Sequence, residues 1–259
     1  MSKAKKDKRA RCSANRRKRS TFVGCGSCSG KKLNPYYILQ GVKRLNDIYL
    51  EKDGRLKGTS EGSAYSISES GYMNDKIWED EHAPYLVKET RSLTQETKRE
   101  AKWQLLLLDG FLSHTMTFKA LKMFFDNRTL VICFPSHVSA DFQPLDVTAF
   151  AVFKLRLAKL HRQESLSRFQ DSADASTQRW ELPALMNKVW SENVKETLFI
   201  KGFEKTGLWS FNPPAFDDPV FAPSIVFFKT ELASSLSPSL SSSSSSSSCL
   251  SSSSLYTDY

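Results

Sequence analysis

Residues 103–110, Trp-Gln-Leu-Leu-Leu-Leu-Asp-Gly, decide the class of fold. A run of four leucines that ends at Asp109-Gly110 is short, and it is typical of a buried strand followed by a turn. A second apolar stretch, Leu130-Val-Ile-Cys-Phe134, ends at Pro135. Between the two, apolar residues recur near helical spacing in residues 114–126. This strand–helix–strand order with short connections predicts a parallel pair of strands within an α/β sheet.

The residues on the N-terminal side predict a hairpin and then a helix. Residues 21–25 and 33–39 have the composition of two strands, and Pro35 suggests that the second strand is irregular or lies at an edge. Residues 41–70 are polar and rich in Gly and Ser, and we expect a loop with short strands. Asn74 is a candidate N-cap for a helix that begins its apolar face at Ile77 and Trp78. Residues 90–102 are highly charged and predict a linker.

The residues on the C-terminal side predict helices and then a disordered tail. Residues 146–161 form a strong helical pattern, and its apolar face contains Phe150, Phe153, Leu157 and Leu160. Residues 183–205 predict one or two further helices. After Ala233 the chain is almost all serine, and this composition predicts disorder.

The positive charge of the chain is concentrated at its N-terminus. The net charge is +9, and residues 3–19 alone contribute all of it, with ten basic side chains and one acid, Asp7. We interpret residues 1–20 as a basic disordered arm that serves as a nuclear-import signal, as a nucleic-acid arm or as both. The residues expected to contact nucleic acid are Arg16, Arg17, Lys18 and Arg19. The alternative is a solvated tail without a partner.

The composition also limits the cellular context. No apolar run approaches the roughly 20 residues of a membrane span, and no secretory signal is recognisable. We therefore expect an intracellular protein without membrane contacts. Five scattered cysteines argue against a disulfide framework. Cys25-Gly-Ser-Cys28 is a lone CxxC that we interpret as a strand entering a turn, and a zinc site is the alternative.

Two carboxylates are candidates for metal chemistry. Asp109 ends a predicted buried strand, and Asp146 opens a helix 37 residues later. Polar groups at the carboxyl ends of strands line the functional crevice of α/β sheets. Two carboxylates there can hold a divalent cation for phosphoryl chemistry, and Mg²⁺ prefers such oxygen ligands. By themselves, however, Asp109 fits a turn equally well, and Asp146 fits an N-cap.

Six segments together carry a family resemblance. In chain order they are SGKKLNP with ILQG (residues 29–41), SGYMN (70–74), WQLLLLDGFLSH (103–114), LVICFPSH (130–137), QPLDVTAFAVFK (143–154) and GFEKTGLWSFNP (202–213). In order and approximate spacing they resemble the DDE endonuclease domain of pogo/Tigger/Jerky-type transposases, which are related to the Tc1/mariner group. The resemblance covers about residues 20–216.

The resemblance implies a ribonuclease-H-like α/β fold, a mixed sheet with flanking helices. In this family three acidic residues bind Mg²⁺ (or Mn²⁺) and cut DNA. By position, Asp109 corresponds to the second acid and Asp146 to the third. The first acid belongs to a DETG-like box on a central strand that should precede residue 21, and no segment there fits, since Asp7 lies among lysines. His114 and His137 are candidates for contacts with the scissile phosphate or for orienting an aspartate.

A missing central strand has a structural consequence. In the ribonuclease-H-like arrangement this strand pairs with the strand at Thr21 on one side and with the strand at Leu105 on the other. Each buried backbone group left unpaired costs roughly 1–3 kcal/mol, against a net stability of roughly 5–15 kcal/mol. We therefore expect a marginally folded chain or a protein partner that supplies the strand.

These observations lead to three hypotheses of function. The first is a transposase-derived DDE endonuclease-like protein that is nuclear, binds nucleic acid mostly through phosphate contacts and is catalytically impaired. The second is an active Mg²⁺-dependent DNA endonuclease or transposase, and the third is a domesticated protein-interaction scaffold. The family's helix-turn-helix DNA reader is not recognised in the sequence. The expected organisation is an arm (1–20), a partial DDE domain (21–216) and a Ser-rich disordered tail (217–259).

Overall fold

The fold was analysed in a computed structural model of the chain. The structure describes residues 19–42, 45–96, 102–109, 117–134, 142–171, 180–212 and 248–257. All statements below on what the structure contains refer to these ranges.

Six strands form one mixed sheet with the order β3-β2-β1-β6-β4-β5. Their bounds are Ser20–Ser27 (β1), Tyr36–Gln40 (β2), Ala64–Ser68 (β3), Gln104–Leu108 (β4), Thr129–Cys133 (β5) and Ser248–Thr257 (β6). The β1–β2 hairpin is antiparallel, and β2 pairs in parallel with β3. The pair β4–β5 is parallel, as the sequence predicts.

Helices cover both faces of the sheet. In the described ranges the α-helices are Asp75–Ile77 (α1), Ala83–Glu96 (α2), Phe118–Asp126 (α3), Phe150–Asp171 (α4), Leu182–Asn193 (α5) and Glu196–Lys205 (α6). A π-helical turn, Trp78–His82, joins α1 to α2, and a second one, Leu145–Ala149, leads into α4. None of the helices in these ranges is long and apolar enough to span a membrane.

Strand β6 occupies the centre of the sheet. It pairs antiparallel with β1 from Ser20–Thr257 to Ser27–Leu250, and it pairs in parallel with β4 from Gln104–Ser248 to Leu108–Ser252. The chain's own residues 248–257 thus lie between the two strands where we expected a missing strand or one from a partner. The expectation of disorder is wrong for these residues, because their backbone groups are paired on both sides. The rest of the predicted tail lies outside the described ranges.

One face of the sheet packs against α1, the first π-helical turn, α2 and α3. Apolar side chains from both halves of the sheet meet there, including Ile38 from β2 and Leu106 from β4, and both are fully buried. Trp78 and Phe124 fill the layer above them. Asn74 begins this helical layer, as predicted, because its Oδ1 accepts a hydrogen bond from the Ile77 backbone N–H at 2.9 Å.

The opposite face packs against α4, α5 and α6 through aromatic rings. Phe22 stacks on Phe153 with ring centroids 4.5 Å apart and meets Trp190 edge-on at 5.1 Å. The ring of Phe199 lies so close to β1 that a Cβ atom at Gly26 would come within 2.1 Å of it. Glycine at position 26 therefore allows α6 to approach the strand directly.

Several sequence predictions are confirmed and two need correction. Phe150, Phe153 and Leu157 are fully buried, as their helical spacing predicts. Residues 90–96, predicted as linker, continue α2 instead. In α3 the apolar residues at near-helical spacing do not all face the core: Phe118 is 83% exposed and Phe125 59%, while Phe124 is buried together with Ala120.

The central position of β6 yields a prediction about stability. A proline at Ser252 removes one backbone donor and fixes φ, which a central strand tolerates poorly. We expect Ser252→Pro to lower the free energy of unfolding by roughly 1–3 kcal/mol, because a buried backbone carbonyl loses its partner, and urea denaturation measures the change. The matched control is Ser244→Pro, in the serine run outside the described strand, and it should change stability little. Equal stability of the two variants and the wild type would contradict the central position of β6.

Candidate metal and nucleic-acid site

Asp109 is placed by the central half of the sheet. It is the first residue after β4, whose Leu106 and Leu108 are fully buried. The strand is paired on both sides, with β6 and with β5. The position of Asp109 is therefore fixed by two ladders of backbone hydrogen bonds, at the carboxyl end of the parallel pair, where we expected a functional crevice.

Asp146 is placed by a turn that α6 holds in position. It lies in the π-helical turn Leu145–Ala149, which leads into α4. The hydroxyl of Thr148 donates a 2.7 Å hydrogen bond to the carbonyl of Leu198 in α6. A Cβ atom at Gly202 would lie 2.3 Å from the carbonyl oxygen of Pro144, so that α6 approaches this turn backbone to backbone.

The two carboxylates influence each other electrostatically. The pKa of Asp146 is raised to about 6: burial is the main cause, the positive charge of Lys154 opposes it, and the negative charge of Asp109 adds a smaller increase. The two acids lie 37 residues apart in the sequence, and both are half-buried in the structure. Like charges that share a half-buried position favour the binding of a proton or a cation.

The donor set fits a hard divalent cation in part. Asp109 and Asp146 supply carboxylate oxygens, which Mg²⁺ and Mn²⁺ prefer. Within the described ranges no group of three or more His, Cys, Asp or Glu side chains could hold a metal ion. A cation held by the two carboxylates would therefore take most of its ligands from water.

The strand next to Asp109 contains no acid. Leu108 is paired with Ser252, so that the following residue, Asp109, lies level with the next position of β6, Ser253. Residues 248–257 read Ser-Cys-Leu-Ser-Ser-Ser-Ser-Leu-Tyr-Thr. In this structure the central strand therefore contributes no third carboxylate to the two aspartates.

The basic segment joins the sheet at the end where Asp109 lies. Because β6 runs antiparallel to β1 and parallel to β4, the Ser20 end of β1 and the Asp109 end of β4 point the same way. Leu108 is level with Cys25, five residues from Ser20, which corresponds to about 17 Å along the strand. Arg19 is anchored here, with its guanidinium over the ring of Tyr72 at 5.1 Å.

Other predicted site residues are either outside the described ranges or structural. His114, His137, Arg16, Arg17 and Lys18 lie outside those ranges. Cys25 and Cys28 are buried free thiols in β1 and the turn after it, as the strand-to-turn interpretation predicts. Burial raises the pKa of the Cys25 thiol well above its ordinary value, which disfavours the thiolate that zinc requires.

Sequence reasoning assigned no role to Gln143, which precedes Asp146 by three residues. Gln143 is completely buried, and neither its Nε2 nor its Oε1 has a hydrogen-bond partner in the part of the chain that the structure describes. Its backbone carbonyl accepts a 3.2 Å hydrogen bond from Val147.

The electrostatic coupling of the two acids can be tested directly. Asp109→Asn removes a nearby negative charge, so we expect the pKa of Asp146 to fall from about 6 toward its ordinary value. Carboxyl ¹³C NMR titration measures this shift. Asp126→Asn is the control, because Asp126 is an exposed partner of Lys122 in α3 and should leave the pKa of Asp146 unchanged. An unaltered pKa in Asp109→Asn would show that the two acids are not neighbours.

Comparison with known protein families gives an independent result. The sequence model of one family, described as DDE superfamily endonuclease, matches residues 16–203. No curated protein and no solved structure matches the chain. The matched range includes both aspartates, the basic residues 16–19 and the described strands β1 to β5. Since the match spans well over half of the chain, the chain belongs to the DDE superfamily endonuclease family.

Proposed function

We propose that this chain is a transposase-derived DDE endonuclease-like domain that binds nucleic acid and a divalent cation but is impaired in DNA cleavage. The family supports a nuclease-like domain with a nucleic-acid substrate. The resemblance of the six sequence segments supports the pogo/Tigger/Jerky type and a ribonuclease-H-like sheet. The electrostatic coupling of Asp109 and Asp146 is the single observation that carries the proposal.

The cation-binding part of the proposal follows from this coupling. A divalent cation between the two carboxylates offsets their repulsion and is attracted to both. When bound, Mg²⁺ or Mn²⁺ supplies Lewis-acid activation of water or of a phosphate oxygen. Asp109 and Asp146 would hold this cation. The positive charge of Lys154 partly offsets the negative charge of Asp146.

The proposed catalytic impairment follows from the composition of β6. Two-metal phosphoryl transfer needs carboxylates that hold two ions roughly 3.5–4 Å apart. Residues 248–257 contain no Asp or Glu, so the strand that pairs with β4 adds no carboxylate next to Asp109. We infer that the pair holds one cation but lacks the ligands that fix a second ion.

The nucleic-acid part of the proposal rests on charge and topology. Ten basic side chains lie in residues 3–19, and the segment joins the sheet at the same end as Asp109. Phosphate contacts from such a segment are independent of sequence and sensitive to salt. A duplex held by the arm therefore lies toward the carboxylates. The same basic clusters support a nuclear location.

One observation favours the scaffold as a second candidate. Phe118 and Phe125 are exposed on α3, and the ring of Phe125 packs on that of Trp103 with centroids 5.2 Å apart. Exposed aromatic side chains of this size are enriched at protein interfaces. A scaffold would use this surface and would not need the two carboxylates.

The test combines cation binding with a plasmid assay. We expect the purified protein to bind Mn²⁺ at pH 7.5, and Asp109→Ala and Asp146→Ala each to abolish that binding. Binding should weaken at pH 5.5, because the pKa of Asp146 is about 6 and protons then compete with the cation. Asp126→Ala serves as the surface control. In agarose gels, supercoiled plasmid with Mn²⁺ should be retarded by the protein but remain unnicked.

Each result separates the three functions. Nicking that disappears in both alanine variants would establish the active endonuclease and overturn the proposed impairment. If the folded protein neither retards the plasmid nor binds Mn²⁺, that result would favour the scaffold. Retardation that falls steeply with salt, together with Mn²⁺ binding and no nicking, supports the proposed function.

A further inference from the structure

A groove between α4 and α5 is lined largely by basic side chains. Its volume is about 200 Å³, and residues of both helices line it. Arg156 and Lys159 belong to α4, and Lys188 belongs to α5. Among the lining residues that the structure describes, Glu192 is the only acid. The groove therefore carries an excess of positive charge.

The two helices that form this groove are held together at both of its ends. The ring of Trp190 in α5 packs on Phe150 and Phe153 in α4, with centroids 6.2 and 6.1 Å apart. Toward the other end of α4, the guanidinium of Arg168 lies 2.8 Å from the carboxylate of Glu181, which directly precedes α5. The helices thus run antiparallel, and the groove between them is formed by the packing of the fold itself.

The basic side chains of the groove are not neutralised by neighbouring acids. In the part of the chain that the structure describes, Arg156, Lys159 and Lys188 make neither ion pairs nor side-chain hydrogen bonds. Residues 147–163 contain four Lys and Arg residues and no Asp or Glu. Outside residues 3–19 the chain has equal numbers of basic and acidic residues, so this excess is local. Such a local excess attracts anions.

The side chains in the groove are those that bind phosphate groups. Lys and Arg contact the phosphate oxygens of nucleic acids, and so do amide side chains, which Gln163 and Asn193 add to the lining. Pockets for whole small-molecule ligands enclose roughly 300–1,000 Å³, so this groove is small for such a ligand. A stretch of a polymer that continues on either side fits it better, and the family points to nucleic acid as that polymer.

We propose that the groove between α4 and α5 binds the phosphodiester backbone of DNA, as a contact surface in addition to the basic arm. Arg156 and Lys188 contact phosphate oxygens from the two walls, and the carboxylate of Glu192 weakens binding by repulsion. The inference rests on the nucleic-acid part of the proposed function, and it needs no cation at Asp109 and Asp146.

The test is the salt dependence of DNA binding by the full chain, measured by fluorescence anisotropy of a labelled duplex. Each phosphate contact contributes about 0.9 to the slope of log K against log salt concentration. We expect the double variant Arg156→Gln/Lys188→Gln to reduce the magnitude of this slope by about 2. The matched control, Lys76→Gln/Lys88→Gln, removes the same charge from exposed positions of α1 and α2 on the other face of the sheet. It should leave the slope unchanged.

A third variant separates a local contact from damage to the fold. Glu192→Gln removes the acid that lines the groove, and we expect it to tighten DNA binding by up to about 5-fold. A variant that merely destabilised the helices would weaken binding instead. Unchanged or weaker binding by Glu192→Gln would contradict the placement of phosphate groups in the groove.

The remaining outcomes distinguish the inference from the proposed function. Equal slopes for the groove variant and its control, with binding lost in Arg16→Gln/Arg17→Gln, would assign DNA binding to the arm alone. That result would overturn the inference and leave the proposed function intact. Binding of poly-L-glutamate that is lost in the groove variant, without a change in the slope for DNA, would indicate an acidic protein partner and also overturn it. Absence of DNA binding by the folded wild type would overturn both.

Discussion

The pairing of β6 with β1 and β4 is the interaction on which the rest of the structure depends. Among the described strands, β6 alone joins the half-sheet β3-β2-β1 to the half-sheet β4-β5. All eight residues of β1 are buried, so backbone groups on its inner edge have no access to water. Each such group left unpaired would cost roughly 1–3 kcal/mol, and several would exceed the margin of an ordinary domain. Residues 248–257 occupy this position and pair the backbone groups of β1 and β4.

The positions of the candidate site residues depend on this pairing of β6 with β1 and β4. Asp109 follows β4 directly, and Asp146 begins the helical turn that α6 holds through Thr148. The two acids influence each other because β4 and this turn are both packed onto the completed sheet. Residues 248–257, which complete the sheet, contain no Asp or Glu. The fold and the proposed loss of cleavage therefore have one origin.

The elements that could be predicted from the sequence are those with a recognisable pattern of apolar and polar side chains. The leucine run predicted β4, and the helical spacing of Phe150, Phe153 and Leu157 predicted a buried face of α4. The pairing of the two acids in one site stays a prediction. Strand β6 escaped prediction because its pairing uses backbone groups, whereas its serine-rich composition argues for disorder. The outward face of α3 and the unpaired amide of Gln143 depend on burial by distant segments, which periodicity alone does not report.

Amide hydrogen exchange of residues 249–256, measured by mass spectrometry alongside β1 and β4, tests the central position of β6 most directly. Amides paired in the centre of a sheet exchange only through substantial opening of the fold. The account predicts slow exchange in β6, comparable to that of β1. Exchange of residues 249–256 at the rate of an unstructured peptide, with β1 and β4 protected, would contradict it.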